Sequence, residues 1–436
     1  MKKKVLSTLL VAAMTACMFA GCSTDTTTKG TTTPGGEDGT TTAAKLERPT
    51  LEDYGSGKIS IWVADNIVDL TQEKADAFIA AHPEYAGYTV EVTANGEGTA
   101  ATAVLTDLDA AADIFGFPQD QLARLVGAKA LVPIAGSYYE QFVKENNDAS
   151  SVAAAMAGKE MYAFPYTSDN GYFVYYDKTV VKHTDTLENM IKDCEDAKKN
   201  FYFDLNSGWY QTAFFFGTGC TLTYDTDDEG KFTKCNIDYN SDKGLVALKE
   251  MVEVAKSAYF VDGSDAKSAV DYGFIVDGTW DKDSVIGKLG DNWAACKLPE
   301  FEGSDGKKYQ LSGFGGFKLM GVKPQEDNKK QLVCLHLAEY LTGEEVQLAR
   351  FEACGWGPSN LKAQANEKVQ ADPALAALGA QLAYTIPQGQ YPGDYWTRAE
   401  ALGNDAEIKD AGYTDDQLKE MLKKFEEDCK SYCNAE

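Results

Sequence analysis

The strand-forming runs that decide the fold are KISIWV (residues 58–63), TVEVT (residues 89–93) and DIFGF (residues 113–117). Each run is short and rich in β-branched or aromatic residues, which is typical of buried strands. Residues 71–81, between the first two runs, have the apolar spacing of an amphipathic helix, and an alanine-rich helical stretch precedes the third. Strands that alternate with helices predict a doubly wound α/β sheet with parallel strands.

The same alternation returns in the second half of the chain. Strands are predicted at 171–176, 201–205 and 271–276, and Ser241 is placed to cap a helix over 242–258. A second α/β unit is therefore expected. Further predicted helices are those at 329–351, broken near 342–343, and at 414–431.

Length and charge limit the classes of function. A chain of 436 residues is long enough for two or three folding units. It carries 41 Lys plus Arg against 67 Asp plus Glu, which gives a formal net charge of −26. Nucleic-acid binding needs clustered positive charge, so a nucleic-acid partner is not expected. An anionic membrane surface is an equally poor partner for the folded part.

The N-terminal segment has the features of an export signal. A basic stretch at residues 2–4 precedes an apolar stretch at residues 5–20, which is short for a membrane span. The small residues directly before Cys22 resemble a bacterial lipidation signal. We expect a signal peptide at 1–21, then a lipidated Cys22 and a disordered Thr/Gly-rich tether over 22–50, on the outer face of the cell membrane. The alternative is a plain secretory signal with an incidental cysteine.

The remaining cysteines leave two interpretations open. Cys220 with Cys235, and Cys429 with Cys433, are candidate disulfide pairs in an exported protein. Free, buried cysteines in an organism from a reducing habitat are the other interpretation. The sequence contains no C-x-x-C, and the wide spacing does not favour a zinc site.

Catalytic and metal motifs are weak. The three histidines, His82, His183 and His336, lie in no H-E-x-x-H arrangement, and His336 fits an apolar helical pattern as a packing residue. Residues 225–230 look like the start of a calcium loop, but position twelve is Asn236 and the surrounding alternation favours a hairpin. No spacing singles out a carboxylate pair for glycoside hydrolysis. We expect no enzyme activity, no cofactor and no metal.

Eight short motifs carry the clearest functional signal by their order and spacing over residues 57–425. They are GKISIW (57–62), ADIFGF (112–117), GAKALVPI (127–134), AFPY (163–166), YYDK (175–178), DGTW (277–280), LTGEE (341–345) and GDYW (393–396). Together they resemble the extracellular solute-binding proteins of bacterial ABC sugar importers, in particular the maltose and maltodextrin-binding branch.

The resemblance implies a type II periplasmic-binding-protein-like fold, in which two α/β lobes close on a ligand around a hinge of crossing segments. The implied lobes are 51–166 plus 313–356 (N-terminal) and 167–312 plus 357–436 (C-terminal). The implied crossings are near 165–170, 309–313 and 355–359.

Sugar rings have apolar C–H faces and a rim of hydroxyls, so a sugar site needs flat aromatic groups and polar groups together. The polar context of Trp280 and Trp396 favours exposed platforms, and core packing is the alternative for every aromatic residue. The ligand contacts implied by the resemblance are Asp65, Asn66, Glu97, Phe117, Asp120, Gln121, Asp169, Asn170, Trp209, Tyr210, Trp280, Trp396 and Arg398.

The expected function is capture of malto-oligosaccharides by a monomer and their delivery to ABC permease subunits. Ser207 and Glu400 depart from the family pattern, so an importer protein for another oligosaccharide is an alternative. A surface glycoside hydrolase and a starch-binding adhesin are two further alternatives.

Overall fold

The computed structural model describes residues 45–227, 229–408 and 412–434. Contacts divide the chain into residues 1–45 and 46–436, and only the second unit is considered below. The predicted signal peptide, the predicted lipidation site Cys22 and residues 22–44 of the predicted tether lie outside the described residues.

The strands of the described part are β1 Gly57–Val63, β2 Tyr88–Ala94, β3 Ile114–Pro118, β4 Met156–Ala157, β5 Glu160–Met161, β6 Ala163–Gly171, β7 Phe173–Asp177, β8 Asn200–Tyr202, β9 Leu222–Thr226, β10 Phe232–Ile237, β11 Phe260–Val261, β12 Tyr272–Asp277, β13 Trp293–Cys296, β14 Glu300–Glu302, β15 Lys308–Gln310, β16 Phe314–Val322 and β17 Ile386–Pro387. The helices are α1 Val68–Ala81, α2 Glu97–Thr106, α3 Leu122–Gly127, α4 Tyr138–Asn146, α5 Ala149–Ala154, α6 Leu187–Ala197, α7 Thr212–Gly217, α8 Asp242–Ala255, α9 Lys282–Leu289, α10 Asn328–Leu341, α11 Glu344–Cys354, α12 Leu361–Gln364, α13 Glu367–Gln370, α14 Pro373–Leu382, α15 Gly393–Ala406 and α16 Asp415–Ser431.

The first large sheet has the strand order β17-β16-β3-β1-β2, with β6 also paired to β16. Its first strand shows why the chain is extended here. Ile59, Ile61 and Val63 are fully buried, whereas Ser60 and Trp62 between them are half-buried on the opposite face. This period of two is that of a strand with one face in the core and the other only partly covered.

The second large sheet has the strand order β11-β8-β12-β7-β13. All six residues of its central strand β12 are buried, as expected for a strand with helices on both faces. The two sheets confirm the α/β class and the prediction that the second half of the chain forms a sheet of its own.

Both sheets are mixed, whereas the alternation predicted parallel strands. β16 runs antiparallel to β3 and β6 in the first sheet, and β7 runs antiparallel to β12 and β13 in the second. Parallel neighbours need a crossover connection of a dozen or more residues. β7 follows β6 with only Tyr172 between them, and β16 arrives from the other sheet, so neither strand is the product of a local crossover.

We call the first sheet with its covering helices the first lobe, and the second sheet with its helices the second lobe. One hydrophobic core includes Ile61 and Phe115 of the first lobe, and another includes Phe201, Leu248 and Phe425 of the second. Each lobe therefore has its own buried apolar interior, as a separate folding unit requires.

Several stretches of the described chain cross between the lobes, and three of them are marked by a break between strands or by a glycine. The predicted strand 171–176 is divided in the structure, because Gly171 ends β6 and Phe173 begins β7. Gly313 precedes β16 with a φ of 142°, and a Cβ there would lie 2.4 Å from the Tyr172 hydroxyl. Gly355 ends α11 with a φ of 78°. The lobe boundaries given above stay predictions, since β6 and β16 pair across them.

The helix predictions are confirmed with small shifts at their ends. The Ser241 hydroxyl accepts a hydrogen bond from the backbone N–H of Gly244, so it caps α8 as expected. The break near 342–343 separates α10 from α11.

Features that suggested other chemistry have structural explanations. The candidate calcium loop at 225–236 lies in the antiparallel β9–β10 hairpin. His336 is fully buried, its Nδ1 lies 2.7 Å from the Tyr85 hydroxyl, and burial lowers its pKa to about 3. All eight described cysteines are free thiols and six of them are buried, which matches the second interpretation of the cysteines.

Within the described ranges, no helix is both long and apolar enough to cross a bilayer. No group of three or more His, Cys, Asp or Glu side chains in this part of the chain is arranged to hold a metal ion.

Candidate functional site

A cleft of about 370 Å³ lies between the two lobes, and three sets of side chains line it. The first lobe supplies a polar wall, which we define as Glu97, Asp120, Gln121 and Arg124. The second lobe supplies an aromatic wall, which we define as Trp209, Tyr210, Trp280 and Trp396. Between these walls, β6 and β16 of the first sheet supply Asn170 and Lys318, and the segment after β17 supplies Gln388.

The polar wall is built where strands of the first sheet end. Asp120 and Gln121 lie on the 3-10 turn Gln119–Gln121 directly after β3, and Arg124 follows on α3. Glu97 is the first residue of α2, where a carboxylate is favoured by the helix dipole. Ligand groups in α/β sheets favour this location at the carboxyl ends of strands.

Asp120, Gln121 and Arg124 form a chain of hydrogen bonds. The Gln121 amide donates to Asp120 Oδ2, and Arg124 Nη1 donates to Gln121 Oε1 at 2.6 Å. Asp120 is 1% exposed, and this burial raises its pKa to about 7, although hydrogen bonds from the backbone and Gln121 and the charge of Arg124 oppose the shift. The Asp120 carboxyl is therefore a hydrogen-bonding group whose charge changes near neutral pH.

Glu97 is held from behind by a buried tyrosine. The Tyr166 hydroxyl donates to Glu97 Oε1, and burial raises the Tyr166 pKa well above its usual value. A Cβ on Gly116 would lie 2.6 Å from the Tyr166 hydroxyl and 3.1 Å from Glu97 Cγ, so only glycine leaves room for this pair.

The aromatic wall consists of rings packed against one another. The Trp209 ring centroid lies 5.0 Å from that of Tyr210 and 5.7 Å from that of Trp280. Trp396, in the first turn of α15, lies 5.7 Å from Tyr391. These are the offset and edge-on distances at which aromatic rings attract one another, so the platforms are held in place before any ligand binds.

Trp280 depends on the glycine two residues before it. A Cβ on Gly278 would overlap three atoms of the Trp280 ring, so the indole packs directly on the Gly278 backbone. The motif Asp277–Trp280 thus folds the ring back at the end of β12, on the 3-10 turn Thr279–Asp281.

Gln388 and Lys318, from the third set of lining residues, connect to side chains of the two lobes. Gln388 Oε1 accepts hydrogen bonds from Asn170 Nδ2 at 3.2 Å and from Trp209 Nε1 at 3.3 Å. Lys318 Nζ lies 3.7 Å from the ring centroid of Trp356 and 5.1 Å from that of Trp280.

The structure places eight of the predicted contacts together in the cleft: Glu97, Asp120, Gln121, Asn170, Trp209, Tyr210, Trp280 and Trp396. This set combines oxygen acceptors, nitrogen donors and flat rings, which suits a ligand with hydroxyl groups and apolar faces. The ligand role of each residue stays a prediction.

The other five predicted contacts lie outside the cleft lining. Asp65 and Asn66 are exposed, and Asp65 Oδ2 lies 3.9 Å from Lys267 Nζ of the second lobe. Phe117 is fully buried in the first core. Residues two apart on a helix do not share a face, so Arg398 points away from the cleft that Trp396 lines. Its Nη1 lies 3.6 Å from Asp428 Oδ1.

Asp169 is placed beneath the cleft, where it is 1% exposed. Its Oδ2 accepts hydrogen bonds from the Thr279 hydroxyl and from the Gly357 backbone N–H, the latter at 2.6 Å. It therefore ties β6 to the turn that carries Trp280 and to the chain after α11.

The sequence reasoning did not find Arg124, Lys318 or Gln388. Arg124 follows Gln121 by three residues, a spacing that brings helical side chains together, so a signal existed. Lys318 is the single charged residue of the otherwise apolar strand β16, which was also a signal. Gln388 lies in a polar segment with nothing in its sequence to distinguish it.

Comparison with known proteins places this architecture in a family. Residues 74–377 match the profile described as bacterial extracellular solute-binding protein. No curated protein matches the chain by sequence. A structure solved with acarbose is 28% identical and has a TM-score of 0.75, and the match covers 86% of this chain and 99% of that chain.

Two further solved structures show the same likeness. The maltodextrin-binding protein MalE1 from L. casei BL23, solved without ligand, is 25% identical, with 86% of this chain and 99% of that chain covered and a TM-score of 0.71. The maltotriose-binding protein of Thermus thermophilus, at 17% identity, shares the fold, with 85% and 99% covered and a TM-score of 0.67.

Proposed function

The chain belongs to the bacterial extracellular solute-binding protein family, and we propose that it captures malto-oligosaccharides and delivers them to an ABC sugar importer. Family members and similar structures are binding proteins, so the role is capture and not catalysis. Support for the ligand class comes from the similar structure solved with acarbose and from the similar maltodextrin-binding protein.

The observation that carries this proposal is the pairing of unlike walls across one cleft. Glu97 and Asp120 offer oxygen atoms opposite the indoles of Trp209, Trp280 and Trp396. A pyranose ring has an apolar face for an indole and hydroxyl groups for a carboxylate or an amide. A chain of such rings can satisfy both walls at once.

Binding is expected to close the lobes over the sugar. Since each wall belongs mainly to one lobe, only a closed arrangement brings both walls into contact with the same ring. Gly313 and Gly355, with φ values of 142° and 78°, lie in the segments between the lobes and suit a hinge. The closed form is then the one that the permease recognises.

Attachment to the cell is also proposed. We infer that Cys22 carries a lipid and that the Thr/Gly-rich stretch after it links the lipid to the lobes at the outer face of the membrane. Metabolic labelling with a palmitate analogue tests this: label is expected in the native chain and not in the Cys22→Ser variant. Label in both chains would contradict the anchor.

A calorimetric glycan panel tests the ligand class. Maltose, maltotriose and maltotetraose are compared with cellotriose and with a galactose-containing trisaccharide, and we expect binding on the order of micromolar Kd for the α-1,4-linked series. If only a β-linked or a galactose-containing ligand binds, the proposed ligand class is wrong and the ligand is another glycan. After each titration the ligand is analysed by chromatography, because release of shorter sugars would contradict a purely binding role.

A further inference from the structure

The side chain of Lys318 is a buried cation that faces the cleft. It belongs to β16, is 6% exposed and lines the cleft together with Trp280, Asn170 and Gln388. Its backbone pairs with Pro118 of β3 and Thr167 of β6, next to irregularities in the strand register. The ammonium group is thus carried by a strand inside the first sheet, where that sheet borders the cleft.

The ammonium group has aromatic neighbours but no acceptor from the protein. In the described part of the chain, Lys318 takes part in no ion pair and its ammonium donates no hydrogen bond; its contacts are with the rings of Trp356 and Trp280. Cation–π attraction compensates part of the cost of burying the charge. It gives the N–H donors of the ammonium no oxygen acceptor from the protein, and a ligand in the cleft can supply one.

A comparison within the same molecule shows that this is unusual. Lys297 also lies over a ring, with Nζ 5.1 Å from the centroid of Tyr384. Its ammonium, however, donates to the Gln310 side chain and to the Leu298 carbonyl. The protein therefore supplies acceptors to Lys297, an aromatic-packed lysine outside the cleft lining, and supplies none to Lys318 inside it.

We propose that Lys318 is a specificity-determining residue of the cleft, whose ammonium donates hydrogen bonds to hydroxyl oxygens of the sugar unit that lies against Trp280. This inference rests on the proposed function of the cleft. Trp280 provides the apolar surface of this subsite, and Lys318 provides the donors beside it. Because Glu97 and Asp120 provide acceptors elsewhere in the cleft, the two groups together orient the bound chain.

The test replaces the charge while keeping the length of the side chain. Lys318→Met removes the donors and retains an unbranched apolar chain over the Trp356 ring, and Lys318→Arg retains a cation with donors. Lys297→Met is the matched control, since it removes an aromatic-packed lysine that does not line the cleft. Affinity for maltotriose is measured by calorimetry, and the unfolding midpoint Tm is measured for each variant.

Affinity and stability are expected to respond in opposite ways. Lys318→Met lowers the affinity for maltotriose about tenfold or more, because a charge-assisted hydrogen bond is lost. Its Tm stays equal or rises, since replacing a buried charge by an apolar group of similar size is neutral or stabilising. Lys318→Arg recovers part of the affinity, and Lys297→Met binds as the native protein does.

Other results would overturn the inference. Unchanged affinity in Lys318→Met, with or without a lower Tm, would show that the lysine only supports Trp356. An equal loss in Lys297→Met would show a general effect of lost charge. If the native protein binds none of the α-glucans, the proposed function fails together with this inference, whereas native binding with an unaffected Lys318→Met overturns the inference alone.

Discussion

The two walls of the cleft differ in the contacts that their side chains make in the absence of ligand. On the polar wall, Asp120, Gln121 and Arg124 already bond to one another, and Glu97 bonds to Tyr166. On the aromatic wall Trp209 packs edge to face with Tyr210 and at a tilt with Trp280, and each of the three indoles is only half-buried.

This difference separates affinity from selectivity. A sugar that covers an indole removes apolar surface from water and displaces no protein partner, so the gain is direct. A hydroxyl that bonds to Asp120 exchanges one hydrogen bond for another, and the net gain is smaller. The aromatic wall should therefore dominate the binding energy, and the polar wall should decide which hydroxyl pattern fits.

Removing an indole is the largest expected effect. Trp280→Ala should weaken maltotriose binding by about 2–4 kcal/mol, the usual cost of deleting a central aromatic contact. Calorimetry measures the loss, and Trp293→Phe, at a half-buried tryptophan outside the cleft lining, is the control. A loss smaller than that of any polar-wall variant would reverse the proposed order of the walls.

Displacing the same indole without deleting it should have a smaller effect. Gly278→Ala places a Cβ where it overlaps three atoms of the Trp280 ring, so the ring must move. We expect about a tenfold loss of affinity, or roughly 1.4 kcal/mol, with altered tryptophan fluorescence in the absence of ligand. Gly287→Ala is the matched control, because nothing lies within 4 Å of a Cβ there. Native affinity in Gly278→Ala would show that the position of Trp280 is not critical.

The polar wall should make the affinity for sugar depend on pH. Burial raises the Asp120 pKa to about 7, so the carboxyl gains its charge between pH 6 and pH 8. A carboxylate accepts hydroxyl donors better than a neutral acid does, and affinity should therefore rise severalfold, about 1 kcal/mol, over this interval. Asp120→Asn should bind with a weak, pH-independent affinity. Equal pH dependence in the native protein and in this variant would assign the effect to another group.

Folding stability should change with pH in the opposite direction to sugar affinity. Because the folded-state pKa of Asp120 lies above the unfolded value, the folded state holds more protons between about pH 4 and pH 7. This residue therefore destabilises the fold as pH rises through that window. Unfolding of the ligand-free protein in denaturant should show that Asp120→Asn is least different from the native protein at low pH and relatively more stable at pH 8.

The smallest expected effect concerns a residue outside both walls. Asp65 lies 3.9 Å from Lys267, with both side chains 77% exposed, and such an ion pair contributes about 0–1 kcal/mol. Asp65→Asn should change maltotriose affinity by about twofold or less, and less still in high salt. A loss above about tenfold would show that Asp65 reaches the ligand when the lobes close, as the resemblance implied.

The sequence predicted helices and strands better than it predicted which distant residues contact one another. The run 58–63 became β1 and the run 89–93 became β2, because the alternation of buried side chains is a local property. Trp280 and Trp396 were predicted to be exposed platforms from their polar surroundings, and both line the cleft. Phe117 does not line the cleft, because its side chain packs in the first core, whereas the next residue, Pro118, does line it.

Periodicity thus determined the α/β class and the two α/β lobes, since these depend on residues close in the chain, and the resemblance to a known family implied the aromatic residues of the site. Only the tertiary structure decided the direction of β16 and the placement of Lys318 between Trp280 and Trp356. The same holds for Asp169, which became a link beneath the site and not part of its lining. These features join residues that are 38 (Lys318 and Trp280) to 208 (Val322 and Ile114) positions apart, and no local pattern encodes which distant segment a side chain will meet.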